Sequence, residues 1–379
     1  MVQQVEARSG RSDAAMAAWA HRPGDHVFDS VEKLVEHTRE LKDKSFTEEA
    51  AVEHLQIRAT GDAMRVGADE MVVVHDRAEG DGTTVGLLNN HSFNQYCQNI
   101  GARAGEYRKL PAAIAQMPLM WLTQNADRKD VKMLLTRGDN DIVQCRAINS
   151  PNYGRIWNHE LAEAVLKYVD PDIWTVPDVS HFHTPMGFIS TNDKKVFIFL
   201  ANEKNPITLK GIDKPLFRGV YAWNSEVGDG TAGCADFCYN SACANRVMVG
   251  LTEFKELVIR HTAGAPDRWV KEAVPAFDKY VNTSTQKIAG LLEASRKKKV
   301  AKTEKGALQW MQEHGFTKAL SKAALESARE EERGADPSSS PLSIYNVVQG
   351  LSAEARAKEN NDERVAIELL AGKLFKAVG

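Results

Sequence analysis

The chain has 379 residues, with 48 lysines and arginines against 51 aspartates and glutamates, and its formal net charge is −3. This balance excludes a protein that binds polyanions over its whole surface, although it is compatible with a local basic groove. Hydrophobic residues make up 43% of the chain and charged residues 26%, so a sizeable core can form in one large domain or in two.

Cysteine content and apolar runs bear on the compartment. Five cysteines in a chain of this length do not suggest a disulfide framework, so we expect a reducing, cytoplasmic environment. The apolar patch at 14–20 is short, follows Asp13 and precedes Arg22, which fits neither a secretory signal nor a membrane span. No other run approaches the length of a span, and we expect no contact with a membrane.

The first third of the chain predicts helices around one pair of strands. Residues 1–27 are polar and small, which predicts a disordered N-terminal arm. One helix is expected to begin at Ser30, and a shorter one is expected from Thr47 to Leu55. Helical spacing covers Asn90 to Trp121, with breaks at two glycines and at Pro118. The strand pair between these helices is 71–75 and 83–88.

The middle of the chain predicts strands around a single crossover helix. The helix begins at Asn158, where the asparagine can cap it. The expected strands are 132–137, 142–148, 173–183, 186–190 and 195–201, followed by a hairpin at 217–240. We therefore predict an α+β core domain over 28–260, in which helices pack on an antiparallel sheet.

From residue 251 onward the pattern is helical only, and an all-helical C-terminal region is predicted over 265–379. Apolar residues from Val270 to Leu291 recur at steps of three and four, as in a coiled coil. This stripe fits self-association or packing against the protein's own domain. Four basic residues at 296–299 close the helix, and we interpret them as a solvated helix end. A Ser/Pro linker is expected at 334–341.

The stretch from 217 to 250 holds the densest chemistry. Its segment 228–233 has the spacing Gly-x-Gly-x-x-Gly, but a dinucleotide site needs a buried parallel strand before that motif and a helix after it. Here strands stand on both sides, so we reject a nucleotide site and expect no cofactor.

Cys234, Cys238 and Cys243 fall within ten residues of each other, and two interpretations remain. Zinc takes four Cys or His ligands in structural sites, and His181 and His183 are the nearest complement. Alternatively, residues 234 and 238 share one face of a strand and are small core side chains. We favour the core and assign neither metal ligands nor catalytic residues.

Three blocks of this sequence match a known pattern. They are Arg146–Tyr153, Asn224–Gly228 with the letters NSEVG, and Cys243–Arg246. Together with a helical end at 346–375, they resemble a phage- and plasmid-borne family of domains of unknown function. The resemblance covers most of 30–375 and rests most specifically on Asn224, Ser225, Glu226, Gly228, Cys243 and Asn245. That family usually has glycine where this chain has Arg246.

The resemblance implies a protein of a mobile genetic element and implies no activity. A distant fold-level analogy connects its order of strands and helices with single-strand annealing recombinases. Our leading hypothesis is therefore a protein that binds nucleic acid, with single-stranded DNA as its partner in recombination or replication, and that forms homo-oligomers.

A single-strand binder needs cations for the phosphates and aromatic faces for the bases. Three groups in the sequence offer both, and we predict that they meet on one open face. They are Arg103, Tyr107, Arg108 and Lys109; Arg146, Tyr153 and Arg155; and Arg218, Tyr221, Trp223 and Arg246.

Two other hypotheses stay open. One is an enzyme or a metal-binding protein with its site in the hairpin at 224–243, where carboxylates, a serine and a cysteine lie close together. The other is a non-catalytic assembly or regulatory protein that docks through its helical tail.

Overall fold

The computed structural model describes residues 26–60, 70–76, 82–127, 129–138, 142–176, 189–210, 215–240, 243–247, 257–335, 342–357, 367 and 370–378. Two sheets and the helices around them make up this part of the chain, which confirms the predicted α+β class. No helix within the ranges given is both long and apolar enough to cross a bilayer.

The first sheet has six strands in the order β2-β6-β7-β5-β4-β3. All neighbours are antiparallel except β5 and β7, which run parallel. The strands are β2 (Ser45–Ala51), β3 (Leu55–Ala59), β4 (Met71–Asp76), β5 (Thr83–Leu88), β6 (Asp130–Arg137) and β7 (Val143–Asn149).

This sheet is curled. Its two edge strands, β2 and β3, are joined by a single 3₁₀ turn at Val52–His54, so the ends of the sheet lie close together. Glu48 on β2 accordingly contacts His75 on β4 and Thr84 on β5, strands that are distant from β2 in the pairing order.

Two helices fill the inside of the curl. They are α2 (Asn90–Asn99) and α4 (Ala112–Gln124), with the short helix α3 (Ala104–Tyr107) between them. Phe93 and Tyr96 of α2 and Leu119 of α4 are buried there against Ile57 and Met133 of the sheet. Helix α4 continues through Pro118, where the sequence predicted a break.

The second sheet is ordered β1-β8-β9-β10-β11-β12, and β13 also pairs with β11. Its strands are β1 (His26–Val27), β8 (Ile189–Thr191), β9 (Val196–Ile207), β10 (Leu216–Asn224), β11 (Ala232–Asn240), β12 (Cys243–Val247) and β13 (Leu257–Ile259). The predicted hairpin is β10–β11, paired from Leu216↔Asn240 to Trp223↔Gly233. Of the predicted N-terminal arm, His26 and Val27 form β1, and residues 1–25 lie outside the described ranges.

Helices cover the second sheet. Helices α1 (Val31–Asp43) and α5 (Asn158–Tyr168) pack on each other and on this core. The C-terminal helices are α6 (Ala265–Arg268), which continues through a π-turn at Trp269–Ala273, then α7 (Val274–Val281), α8 (Thr285–Lys297), α9 (Glu304–Glu313), α10 (Lys318–Ala335) and α11 (Ile344–Arg356), with a final 3₁₀ turn at Lys373–Ala377. Val220 of β10 and Leu351 of α11 belong to the same hydrophobic core. The predicted domain boundary between 260 and 265 stays a prediction.

Two sequence-based assignments are decided by packing. The helix expected from Thr47 to Leu55 is wrong, because Ser45–Ala51 pairs residue for residue with β6. In the stripe from Val270 to Leu291, Phe277, Val281 and Ile288 are buried in the protein's own core, so the stripe is used within the chain.

Candidate functional site

The block Asn224–Val227 lies at the end of β10 and is completely buried between the two sheets. Asn224 ends a strand of the second sheet, whereas Val227 packs on Leu134 and Ala147 of the first sheet. We call this block, together with the side chains that bind it, the joint.

Glu226 is the charged centre of the joint. One carboxylate oxygen lies 2.6 Å from Nη1 of Arg146 on β7, and both side chains are nearly inaccessible to solvent. The other oxygen accepts a hydrogen bond of 3.0 Å from the backbone N–H of Asn158, at the start of α5. A carboxylate is favoured at a helix N-terminus, so Glu226 both neutralises a buried arginine and stabilises α5.

The carbonyl of Val227 receives three donors from the first sheet and its helix. Gln95 Nε2 lies at 2.8 Å, Asn149 Nδ2 at 3.0 Å and His91 Nε2 at 3.0 Å. The next residue, Gly228, has φ +87°, and a Cβ there would come within 2.8 Å of Asn149 Nδ2. Only glycine fits this position without displacing a donor.

Asn224 and Ser225 complete the contacts on the other side. Asn224 Nδ2 donates to the carbonyl of Ile156 and to Asn158 Oδ1, both at 2.8 Å. Ser225 Oγ donates to the carbonyl of Lys194 at 2.8 Å and accepts from the N–H of Asp229 at 2.9 Å. With the hydroxyl and the carboxylate held in these bonds, Ser225 and Glu226 act structurally, which does not favour an enzyme site at this point of the hairpin.

A stack of rings and cations runs beside the joint. The Arg155 guanidinium lies over the rings of Tyr153 and Trp157, at 5.3 Å and 5.5 Å from their centroids. It donates to the Glu226 carbonyl and to Asn149 Oδ1, and burial lowers its pKa. Tyr153 donates to the Ser225 carbonyl at 2.7 Å and stacks on His261. Burial raises the pKa of Tyr153. The Tyr153 ring is therefore in contact with both Arg155 and His261.

Arg218 is buried away from the joint. It is 2% exposed and donates to the carbonyls of Tyr280 and Thr283, each at 2.6 Å. Its guanidinium also lies over the rings of Trp174 and Tyr280. Trp223, predicted to belong to the same binding group, is also buried.

The predicted single open face is therefore not formed by these residues. Arg146 and Arg218 are buried and bound by protein oxygens, and the partly buried Arg155 donates to two protein oxygens beside the joint. The side chains of Tyr221, Arg246, Cys243 and Asn245 lie outside what the structure describes, although their strands are placed.

The first predicted group stays near the surface, on and after α3. Arg103 and Lys109 are exposed, whereas Arg108 donates to the carbonyl of Asn90 and lies over the ring of Phe93. Tyr107 is half-buried against the core of the first sheet. Only Arg103 and Lys109 of this group present their charges to solvent.

Cys234 and Cys238 are buried in the core of the second sheet, as the strand interpretation predicted. His181 and His183 fall outside the described ranges. Across the residues that the structure places, no group of three or more His, Cys, Asp and Glu side chains is arranged to hold a metal ion.

The tip of the hairpin is polar and partly exposed. Asp229 lies 3.6 Å from Lys194 Nζ, 3.4 Å from Lys195 Nζ and 3.6 Å from His91 Nδ1. Burial lowers the pKa of His91, against the opposing effects of the Val227 carbonyl and Asp229.

Sequence reasoning missed an open cleft of about 900 Å³ at the mouth of the curled sheet. At its floor, His75 Nδ1 contacts Glu48, whose other oxygen accepts from Thr84 Oγ1 at 2.7 Å. A carboxylate can only accept, so His75 Nδ1 is the donor in this contact. The cleft is also lined by Glu49, Glu53 and Asp76, and no lysine or arginine is among its lining residues, which favours cations over phosphates. The sequence did not predict this cleft, because its pattern assigned Glu48 to a helix and not to a strand.

A second feature is a line of lysines after α8. Lys297, Lys298, Lys299, Lys302 and Lys305 are all exposed, and no ion-pair partner for them exists among the described residues. We call these five residues the lysine strip. Its backbone is fixed, because the N–H of Ile344 donates to the carbonyl of Lys298 and that of Val300 to the carbonyl of Leu342.

No protein-family model, curated protein or solved structure matches this chain. The resemblance to the phage- and plasmid-borne family therefore stays an expectation from the three sequence blocks, and the functional argument depends on the geometry alone.

Proposed function

We propose that the protein binds nucleic acid through the lysine strip. The observation that carries this proposal is five exposed lysines within nine residues, none of which is neutralised by a carboxylate in the described part of the chain. Lysine ammonium groups bind phosphates as point charges, and several of them in a line release counterions from a polyanion.

Single strands suit this surface better than duplex. The strip follows a helix end, an extended segment and the start of α9, so its cations lie along an irregular line. A flexible single strand can follow such a line, whereas a duplex is stiff over about 150 base pairs. Because none of the predicted stacking rings is part of the lysine strip, we expect binding that depends little on base sequence and strongly on salt.

Anisotropy of a labelled single-stranded oligonucleotide, measured over a range of salt concentrations, tests the proposal. If all five lysines contact phosphates, the logarithm of affinity falls with the logarithm of salt with a slope of about −3.5 for a single strand. The triple variant Lys297→Gln, Lys298→Gln, Lys299→Gln should reduce the slope to about −1.5. A duplex of the same length should bind more weakly.

The control removes the same charge elsewhere, with Lys271→Gln, Lys318→Gln and Lys322→Gln, which are also exposed. This variant should bind like the wild type. Equal losses of affinity in the two triple variants would show that net charge, and not the lysine strip, determines binding. An absence of wild-type binding to the oligonucleotide at low salt would contradict the proposal. Arg146→Ala and Arg218→Ala are unsuitable tests, because both arginines are buried in the fold.

A further inference from the structure

Helix α4 is apolar on two opposite faces. The inner face is Ala112, Ala115, Leu119 and Thr123, all buried against the curled sheet. The outer face carries Ile114, Met117 and Trp121, which are 54%, 76% and 63% exposed. Leu110, just before the helix, extends this row and is 37% exposed.

These four outer residues, which we call the α4 stripe, recur at steps of four, three and four. Ile114, Met117 and Trp121 therefore lie on one side of the helix, as in helices that pack in pairs, and Leu110 lies next to the cap residue Pro111. A helix that is apolar all round is normally buried, and a row of large apolar side chains in water marks an interaction surface.

The α4 stripe also lacks charge. From Leu110 to Ala126 the chain contains no Asp, Glu, Lys or Arg, although such residues make up 26% of the whole sequence. In a two-fold symmetric contact the same patch faces itself, so any charge on it would meet its own kind. An uncharged face avoids this repulsion and offers nothing to a partner selected by charge.

We propose that the α4 stripe is the contact surface between two copies of this chain. When the partner is a second copy of this helix, its apolar side chains have the same polarity and the same spacing as those of the α4 stripe. Of the stripe at 270–291, which the sequence also offered for self-association, Phe277, Val281 and Ile288 are buried in the protein's own core, whereas Val270 is exposed. A helix of 13 residues is about 20 Å long, so the contact is smaller than a standard interface and the dimer dissociates at micromolar concentrations.

Sedimentation velocity of the full chain over about 1–100 μM tests this, because a dimer of that strength changes its mass in this range. The wild type should shift from monomer to dimer. The double variant Met117→Glu, Trp121→Glu should stay monomeric throughout. Both side chains point into solvent, so an unchanged far-UV spectrum and unfolding midpoint should accompany the loss.

The matched control is Val270→Glu, at another apolar residue that is 64% exposed. It should dimerise like the wild type. A wild type that stays monomeric up to the highest concentration overturns the proposal. That result is expected if residues 1–25 of the same chain, or a lipid surface, cover the α4 stripe instead of a second copy. Dimerisation that persists in the double variant overturns it equally.

Discussion

At the scale of single residues, the joint is a set of polar groups that bind one another away from water. Glu226 has Arg146 on one oxygen and the N–H of Asn158 on the other. A buried pair of this kind contributes little net stability when intact, but removing one partner leaves an uncompensated charge. Asn224, Ser225, Glu226 and Gly228 therefore maintain the fold where the two sheets meet.

The buried Glu226–Arg146 pair predicts the effect of Glu226→Gln. The amide keeps an acceptor for Asn158 but leaves the Arg146 charge buried and unneutralised, so we expect the free energy of unfolding to fall by about 3 kcal/mol. Urea unfolding measures it. Glu163→Gln removes the partner of Arg39 in an exposed pair and should cost less than about 1 kcal/mol. Similarly small decreases in the free energy of unfolding for Glu226→Gln and Glu163→Gln would show that the joint does not depend on the Glu226–Arg146 pair.

His91 predicts a pH dependence of stability. Its folded pKa is lowered below 6.5 by burial, so between the two pKa values the unfolded chain binds one proton more than the folded chain. Stability is therefore highest above pH 6.5 and decreases as the pH falls below that value, by at most about 1.4 kcal/mol per pH unit for this group. His37 and His261, whose pKa values are lowered by burial too, add to the same slope.

His91→Gln keeps a donor for the Val227 carbonyl and should make the acid slope shallower without abolishing it. Asp229→Asn should instead increase the loss of stability at acid pH. The Asp229 carboxylate favours protonated His91, so its removal lowers the pKa of His91 further. Urea unfolding at a series of pH values from about 5 to 8 distinguishes the two variants. An unchanged slope in both would exclude His91 as a contributor.

At the scale of helices and strands, packing decides where composition is ambiguous. Helices α10 and α11 lie so close that a Cβ on Gly350 would be 2.0 Å from the Ala324 carbonyl oxygen. Gly290 in α8 has no atom within 4 Å of the same position. Both glycines are in helix interiors, where alanine is otherwise preferred.

The two glycines should consequently respond in opposite directions to the same substitution. Gly350→Ala forces the helices apart and should lower the free energy of unfolding by about 1–3 kcal/mol. Gly290→Ala should raise it by about 0.5–1 kcal/mol, because the alanine gains helix propensity without a clash. Thermal and urea unfolding of both variants provide the measurement, and destabilisation by Gly290→Ala would contradict the packing argument.

The same scale shows what the sequence could predict. Alternation of polar and apolar residues located the β10–β11 hairpin and placed Cys234 and Cys238 in the core. It failed at β2, where Glu-Glu-Ala-Ala has helical propensity but seven residues pair with β6. It also failed for Arg218, because nothing local reveals that carbonyls more than 60 residues away will enclose its guanidinium.

At the scale of the whole molecule, the predicted binding groups are divided between the interior and the surface. Sequence reasoning recognised Asn224–Gly228 as important but could not see that it joins two sheets. Among the described residues, the lysine strip, the cleft lined by Glu48 and Asp76, and the α4 stripe are surfaces open to partners, and they differ in charge and therefore in the ligands that they favour. Proximity of charges in the sequence did not distinguish these surfaces, because burial decides which charges reach solvent.

The curl of the first sheet has a consequence for aggregation. An open sheet ends in two strands with unpaired backbone groups, to which another chain can add a strand. Here the terminal strands β2 and β3 are consecutive in the chain, with only Val52–His54 between them, so both margins lie at one place in the molecule. Helix α4 packs along β3, and Gln116 Oε1 accepts from the outward-facing N–H of Ala59 at 2.8 Å. Displacing α4 would uncover the margin of β3, and fibrillar self-addition should then begin at this end of the sheet.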